Sequence, residues 1–454
     1  MKKIVMITTL AALLSSCGIY NSYKRPEEIK TDNLYGEEAF TPDTTTLASK
    51  PWKEIFTDPE LQTLIEKGLQ NNTDLEAARL RVKEAEATLM SAKLAFLPSL
   101  SLTPNGQVGS FDHSSAVWTY NAMASASWQV DLFGRTLNAE RQAKALKMQS
   151  DAYQQAVHAQ VVSGVASIYY TLLMLDEQLR ISEETENIWK ENVRMMRAMK
   201  EAGMQTEANV SQAEATYQSV IISVKSMKET INKTENAMSL ILHETPHQIS
   251  RGSWTDQQFP EELLVGVPVQ LLSNRPDVKA AEYSLQRYFY AENAARSAFY
   301  PSLTLTGQAG WTNSVGNAIV NPGKVLLGAV ASLTQPVFEN GANIARLRIA
   351  KAQFQENKLS FQQTLLQAGV EVNEALVKCQ TARSKEENVD KQIKSLSRAL
   401  MSTQLLMDNG TTTFLQVLVA RQSLLQAQVS KMSIWFDEAQ GIINLYQALG
   451  GGLE

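Results

Sequence analysis

The chain has 454 residues, with 42 basic against 47 acidic side chains and a formal net charge of -5. That balance excludes a generally basic nucleic-acid binder and leaves the class otherwise open. Two cysteines cannot build a disulfide framework once one of them is modified. Past the N-terminus, no run of about 18 apolar residues predicts a transmembrane helix.

Residues 1–16 read as a secretion signal, with Lys2-Lys3 as the charged start and Ile4 to Leu14 as an apolar run too short to span a membrane. The run closes in Leu14-Ser15-Ser16-Cys17, the leucine-small-small-cysteine pattern of a bacterial lipoprotein signal. Cleavage there makes Cys17 the first residue, and acylation of its sulfur anchors the chain to a membrane surface. No aspartate follows Cys17 to suggest retention at the inner membrane. Residues 17–60 are polar and dotted with Pro26, Pro42, Pro51 and Pro59, which predicts an extended tether rather than core.

Helical periodicity begins near Leu61 and strengthens from Asp74, read as an N-cap, to about Leu97, where Pro98 stops it. Over about 98–131 the period changes to two. Trp118, Tyr120, Ala122, Ala124, Ala126, Trp128 and Val130 alternate with Thr119, Asn121, Met123, Ser125, Ser127, Gln129 and Asp131, and Leu100 and Leu102 alternate with serines and Thr103. A run of about thirteen residues is long for a soluble strand, and an outward row of small and aromatic side chains suits lipid. Long helices are expected over about 135–243. Ala145, Ala152, Ala159, Ala166 and Leu173 fall at sevens, the spacing of coiled-coil packing. Gly203 suits the turn between them.

The same unit then returns. Ala95-Phe96-Leu97-Pro98-Ser99-Leu100 reappears as Ala298-Phe299-Tyr300-Pro301-Ser302-Leu303, and Asn71-Asn72-Thr73-Asp74 is answered by Asn274-Arg275-Pro276-Asp277. A first structural repeat therefore occupies 61–250, and a linker with a second repeat occupies 251–454. The second repeat is expected to hold strands over about 301–337 and long helices over about 340–449, with Phe354, Phe361, Ala368, Ala375 and Ala382 at sevens and Gly410 at the turn. The fold class is α plus transmembrane β, internally duplicated. Four strands cannot close a barrel, and lipid does not tolerate an open edge. Several chains must share one barrel; three would supply twelve strands and room for a pore.

Trp52-Lys53-Glu54-Ile55-Phe56-Thr57-Asp58-Pro59-Glu60-Leu61, Leu271-Leu272-Ser273-Asn274-Arg275-Pro276-Asp277 and the closing Asn444-Leu445-Tyr446-Gln447-Ala448-Leu449-Gly450-Gly451-Gly452 resemble the TolC family of outer-membrane factors. The likeness is to the lipoprotein branch serving resistance-nodulation-division (RND) efflux pumps, and it covers essentially the whole mature chain. It implies a homotrimer in outer-membrane lipid of a Gram-negative bacterium, a twelve-stranded barrel continued by a periplasmic α-helical barrel, and docking to a periplasmic adaptor protein and an inner-membrane RND pump. The function implied is an exit duct that passively conducts small toxic compounds. A type I protein secretion duct and a structural coiled-coil lipoprotein are the alternatives. The resemblance places a periplasmic gate at Leu415, Val419 and Gln422, where relatives carry a leucine, an aspartate and an arginine; here the charged pair is missing. It also makes the turns at Gly203 and Gly410 the expected adaptor contacts.

Other motifs point away from chemistry. His243-Glu244-Thr245-Pro246-His247 matches a zinc-protease pattern, but that site needs both histidines on one intact helical turn, which Pro246 disrupts. Met195, Met196 and Met199 would suit a soft metal ion, yet helical packing explains them more simply. Cys379, at heptad spacing from Leu365 and Val372, reads as a buried small apolar residue. Neither an enzyme nor a cofactor is expected.

Overall fold

The computed structural model describes residues 22–26, 34–35, 46–110, 112–260, 262–266, 268–315 and 318–452. The signal segment and Cys17 lie outside the described residues. The repeat is visible in element lengths. Helix α1 (Pro59–Asn71) leads into α2 (Thr73–Leu94), strands β1 (Ser99–Gly109) and β2 (Val117–Val130), and helices α3 (Arg135–Glu201) and α4 (Glu207–Ile241). The second copy runs α5 (Pro276–Ser297), β3 (Ser302–Val315), β4 (Ala318–Thr334), α6 (Ala342–Asp408) and α7 (Phe414–Ala448). Helices α2 and α5 each have 22 residues, α3 and α6 each 67, and α4 and α7 each 35. At 1.5 Å per residue, α3 and α6 are each roughly 100 Å long.

Contacts divide the chain into two compact units. The first comprises residues 1–30, 80–152 and 279–364, and the second residues 31–79, 153–278 and 365–454.

The first unit carries the sheet, ordered β1-β2-β3-β4 with every neighbour antiparallel. Register fixes its faces. Leu102 pairs with Ala124, Ala124 with Ala309 and Ala309 with Leu327, all in one apolar row; Ser101, Ser125, Gln308 and Gly328 form the matching row behind it. Many of the apolar side chains are open: Leu100 is 81% exposed, Trp118 72% and Leu327 74%. Equivalent ties close both hairpins at the helical end, where Trp128 Nε1 donates to the Phe96 carbonyl at 2.9 Å and Gln335 Nε2 donates to the Phe299 carbonyl at 3.1 Å. Phe133 stacks on Tyr300, joining the end of one hairpin to the start of the next.

The second unit buries what the heptads select. Ala159, Ala166 and Leu173 on α3, and Ala368, Ala375 and Ala382 on α6, are all buried, as small residues in close helix packing should be. An 18-residue window of α3 is apolar enough to cross a bilayer by composition, but 61% of it is buried against the protein itself. Cys379 is fully buried and meets Gly441, where an added Cβ would lie 2.7 Å from the sulfur. Burial pushes its thiol pKa up to about 11.

Two sequence expectations need correction. The helix expected from Asp74 to about Leu97 starts at Thr73 and ends at Leu94, and its cap is Asn72, whose Oδ1 accepts from the Leu75 amide at 3.0 Å. An amide one residue outside the helix reaches that free N–H, which Asp74, already inside, cannot. The segment expected to be a tether is pinned over its described length. Tyr35, Leu47, Trp52, Ile55 and Phe56 are buried, Thr46 bridges to Val265, and the Tyr446 hydroxyl donates to the Lys50 carbonyl at 2.7 Å. Nor is it extended throughout, since Leu47–Ser49 and Trp52–Ile55 are short helices with Pro51 preceding the second, and the apolar residues around them find partners. Within the first unit, Arg25 makes a two-pronged ion pair with Glu282.

Candidate conduit wall, helix tips and closing clamp

The sheet is the first part of the site. Its two rows assign one face to lipid and the other to the interior. The interior-type row holds hydroxyls and amides that bond across strands: Ser101 to Ser125 at 2.7 Å, and Asn121 Nδ2 to Asn105 Oδ1 at 3.1 Å. Val117, Met123, Leu326 and Val330 are exceptions on that row. Strands β1 and β4 each have one neighbour, leaving two unpaired edges among the described residues.

The helix tips are the second part, and each is built by a glycine. Gly203 has φ +76 and Gly410 φ +71. Gly203 N–H donates to the Lys200 carbonyl and Met204 N–H to that of Met199; Gly410 and Thr411 repeat this with Met407 and Leu406. This pair of bonds satisfies the last free carbonyls and reverses the chain, and it needs a left-handed residue at the pivot. Just past the second tip, Leu415 and Val419 are 61% and 57% exposed, and Gln422 is exposed too. Their spacing sets them on one face of α7, opposite the buried Val417. Gln422 also borders a cavity of about 300 Å³ between α3, α4 and α7, together with Trp189, Thr216, Ser219 and Arg421. Trp189 and Arg421 carry no sequence signal that separates them from ordinary heptad neighbours.

The third part is a clamp. Arg275, 6% exposed, reaches Asp277 at 2.6 Å, Glu371 at 2.7 Å and the Ala448 carbonyl at 3.1 Å. Gly450, at φ +91, packs so closely that an added Cβ would lie 2.7 Å from the Asn274 backbone. The Asn-Arg-Pro-Asp signature and the glycine-rich C-terminus are therefore two halves of one contact. A second ion cluster holds the linker between repeats: Arg251 spans Asp176 at 2.5 Å and Glu235 at 2.6 Å. Tyr169 donates to Asp58 at 2.6 Å and accepts from Gly252 N–H at 2.9 Å; burial raises its pKa.

The zinc-like motif is a helix end. Helix α4 stops at Ile241, and His243 sits at φ +55, with Glu244 N–H donating to Ser239 and His243 N–H to Leu240. Gly450 makes the same turn in the second copy. The two histidines thus never share a helical turn. Met195 and Met196 part as well: Met196 packs with Val193, Val210 and Ala213, whereas Met195 is 41% exposed.

A duplicated four-stranded sheet with one lipid-type face, joined to roughly 100 Å helices, defines a class of outer-membrane conduits. The family model for outer membrane efflux proteins matches residues 64–242 and 267–451, one segment in each repeat, and the chain belongs to that family. It is 26% identical to the probable outer membrane lipoprotein SilC of Salmonella typhimurium, over 99% of this chain and 98% of SilC. It is also 26% identical to the antibiotic efflux pump outer membrane protein ArpC of Pseudomonas putida, over 99% of this chain and 96% of that one. The structure superposes on the open state of the Neisseria gonorrhoeae MtrE outer membrane channel with a TM-score of 0.84 and 26% identity, covering 96% of this chain and 99% of MtrE. The protein is accordingly the outer-membrane exit duct of an efflux system, with a TolC-type fold.

Proposed function

We propose that three copies of this chain close one twelve-stranded barrel, and that the duct passively carries small toxic compounds handed over by a periplasmic adaptor and an inner-membrane RND pump. In this reading the chain performs no catalysis. The observation that carries it is the sheet, with one apolar face and two unpaired edges, because an edge in hydrocarbon leaves backbone groups that cost several kcal/mol each. Cys17 bears the lipid anchor, in keeping with the sequence pattern and with the lipoprotein description of SilC. The tips at Gly203 and Gly410 meet the adaptor, and Leu415, Val419 and Gln422 form the resting closure.

Native mass measurement of detergent-purified protein tests the assembly: a trimer is expected, and a folded monomer as the only species overturns the shared barrel. Deleting the gene and measuring growth on small toxic compounds, beside secretion of large polypeptides, separates the efflux role from a type I duct. Loss of protein secretion with unchanged compound tolerance would sink the efflux reading.

A further inference from the structure

The rows of the sheet carry an electrostatic asymmetry. Strands β1 to β4 contain no aspartate, glutamate or arginine, and a single lysine, Lys324. Register places it on the polar row: Asn105 pairs with Asn121, Asn121 with Thr312 and Thr312 with Lys324. One belt of amides and a hydroxyl thus ends in an exposed ammonium, and no carboxylate in the strands neutralises it. Lys324 stands about ten residues beyond the helical end of β4, roughly 33 Å along the strand at 3.3 Å per residue. That puts it near the mouth facing away from the helices.

The local backbone is held. The neighbouring Gly323 N–H donates to the Tyr120 hydroxyl at 3.0 Å, and a Cβ at Gly323 would lie 2.3 Å from that oxygen. Across the belt, Asn313 accepts from the Tyr120 amide at 2.7 Å and donates to the Trp118 carbonyl at 2.9 Å, beside the register shift between Thr312 and Ser314. Glycine is what permits the close approach, so the ammonium is carried at a fixed height.

We infer that Lys324 is a selectivity residue of the duct, and that its ring of ammonium groups at the outer mouth favours anionic over cationic solutes. The inference rests on the trimeric duct proposed above, which sets three copies of Lys324 around one axis. A ring of one sign inside a low-dielectric wall raises the local concentration of counter-ions and excludes co-ions. Hydroxyls and amides over the rest of the belt are uncharged, so within the strands that field is unopposed; the exposed carboxylate of Asp112 lies outside them, in the loop between β1 and β2. The solutes favoured at this mouth are anionic amphiphiles, such as carboxylate-bearing compounds, and the disfavoured ones are metal cations and polyamines. The effect weakens with salt, since the screening length is about 10 Å at 0.1 M.

Purified full-length trimers in planar bilayers under a KCl gradient test this through the reversal potential. Lys324→Gln is expected to lower the chloride-to-potassium permeability ratio about twofold and Lys324→Glu about fivefold below wild type, with Lys324→Arg near wild type and the differences shrinking at 1 M salt. Conductance in the wild-type range shows that each variant has folded. Conducting channels whose ratio is unchanged across the series overturn this inference and leave the duct standing. Wild-type protein that forms no conducting channel overturns the duct, and this inference with it.

Discussion

His243 and Gly450 occupy the same turn in the two copies, and only one is suited to it. Both follow helices of equal length and both take positive φ, +55 and +91. A side chain in the left-handed region costs about 1–2 kcal/mol, which glycine avoids. The histidine recovers part of this through Nδ1, 3.1 Å from the Thr73 hydroxyl. His243→Gly should therefore stabilise the protein by about 0.5–1 kcal/mol, read as a rise in unfolding temperature; a fall would mean that the Thr73 contact outweighs the strain. Cys379 gives a second residue-scale prediction. Its thiol is pushed up to about 11 by burial, above the value of about 8.5 for a free cysteine. The stabilisation is complete below the unfolded pKa and is lost as pH rises from near 8.5 towards 11. A maleimide or disulfide reagent at pH 8 should leave Cys379 unlabelled until the protein unfolds, so rapid labelling of the native trimer would contradict its burial.

At the scale of the element, each long helix is ended by a bonded glycine turn and the next one starts within a few residues. What differs between the tips is the face beyond them. Helix α7 presents Leu415 and Val419 with no charge between them, so closure about a three-fold axis would be apolar. Val419→Asp should open it. Three carboxylates near one axis repel where water is scarce, and some stay protonated until the pH is raised. Single-channel conductance should rise with pH for this variant, while Val419→Ala changes it less. If Val419→Asp channels conduct like wild type from neutral to alkaline pH, the gate lies elsewhere on the helices. The strands offer a matching test. Ala124→Arg, on the apolar row, should block insertion, at a cost of about 2–4 kcal/mol per chain in mid-membrane. Ser125→Arg, one residue on, should insert and alter conductance. Equal behaviour of the two in a heat-modifiability gel would reverse or erase the facing of the sheet.

For the whole molecule, the sequence by itself determined the duplication, the fold class and the two-faced strands. Each of these is a local or periodic property: a repeated hexapeptide, sevens of alanine and phenylalanine, and a period of two that survives in the observed register. Alternation is legible because side chains on a strand have only two directions in which to point. That Leu415 and Val419 carry no charge was legible too, while the gate role proposed for them comes only from a family resemblance that said where to look. What the sequence left undecided depends on contacts between distant positions. Nothing near residue 50 announces that the proline-rich segment is strapped down, because Lys50 meets Tyr446, some four hundred residues away. Arg275 likewise reads as a motif letter until the fold brings it to Glu371 and Ala448. Lys324 is the one charge in the strands only once their observed bounds exclude Asp112 and Asp131, and it has a place on the belt with Asn105, Asn121 and Thr312 only once cross-strand register is set. A shift of one residue would send it to the lipid face. Chain-local patterns encode which residues can share a face; only the tertiary structure decides which faces meet, because that choice is made by burial summed over the whole fold.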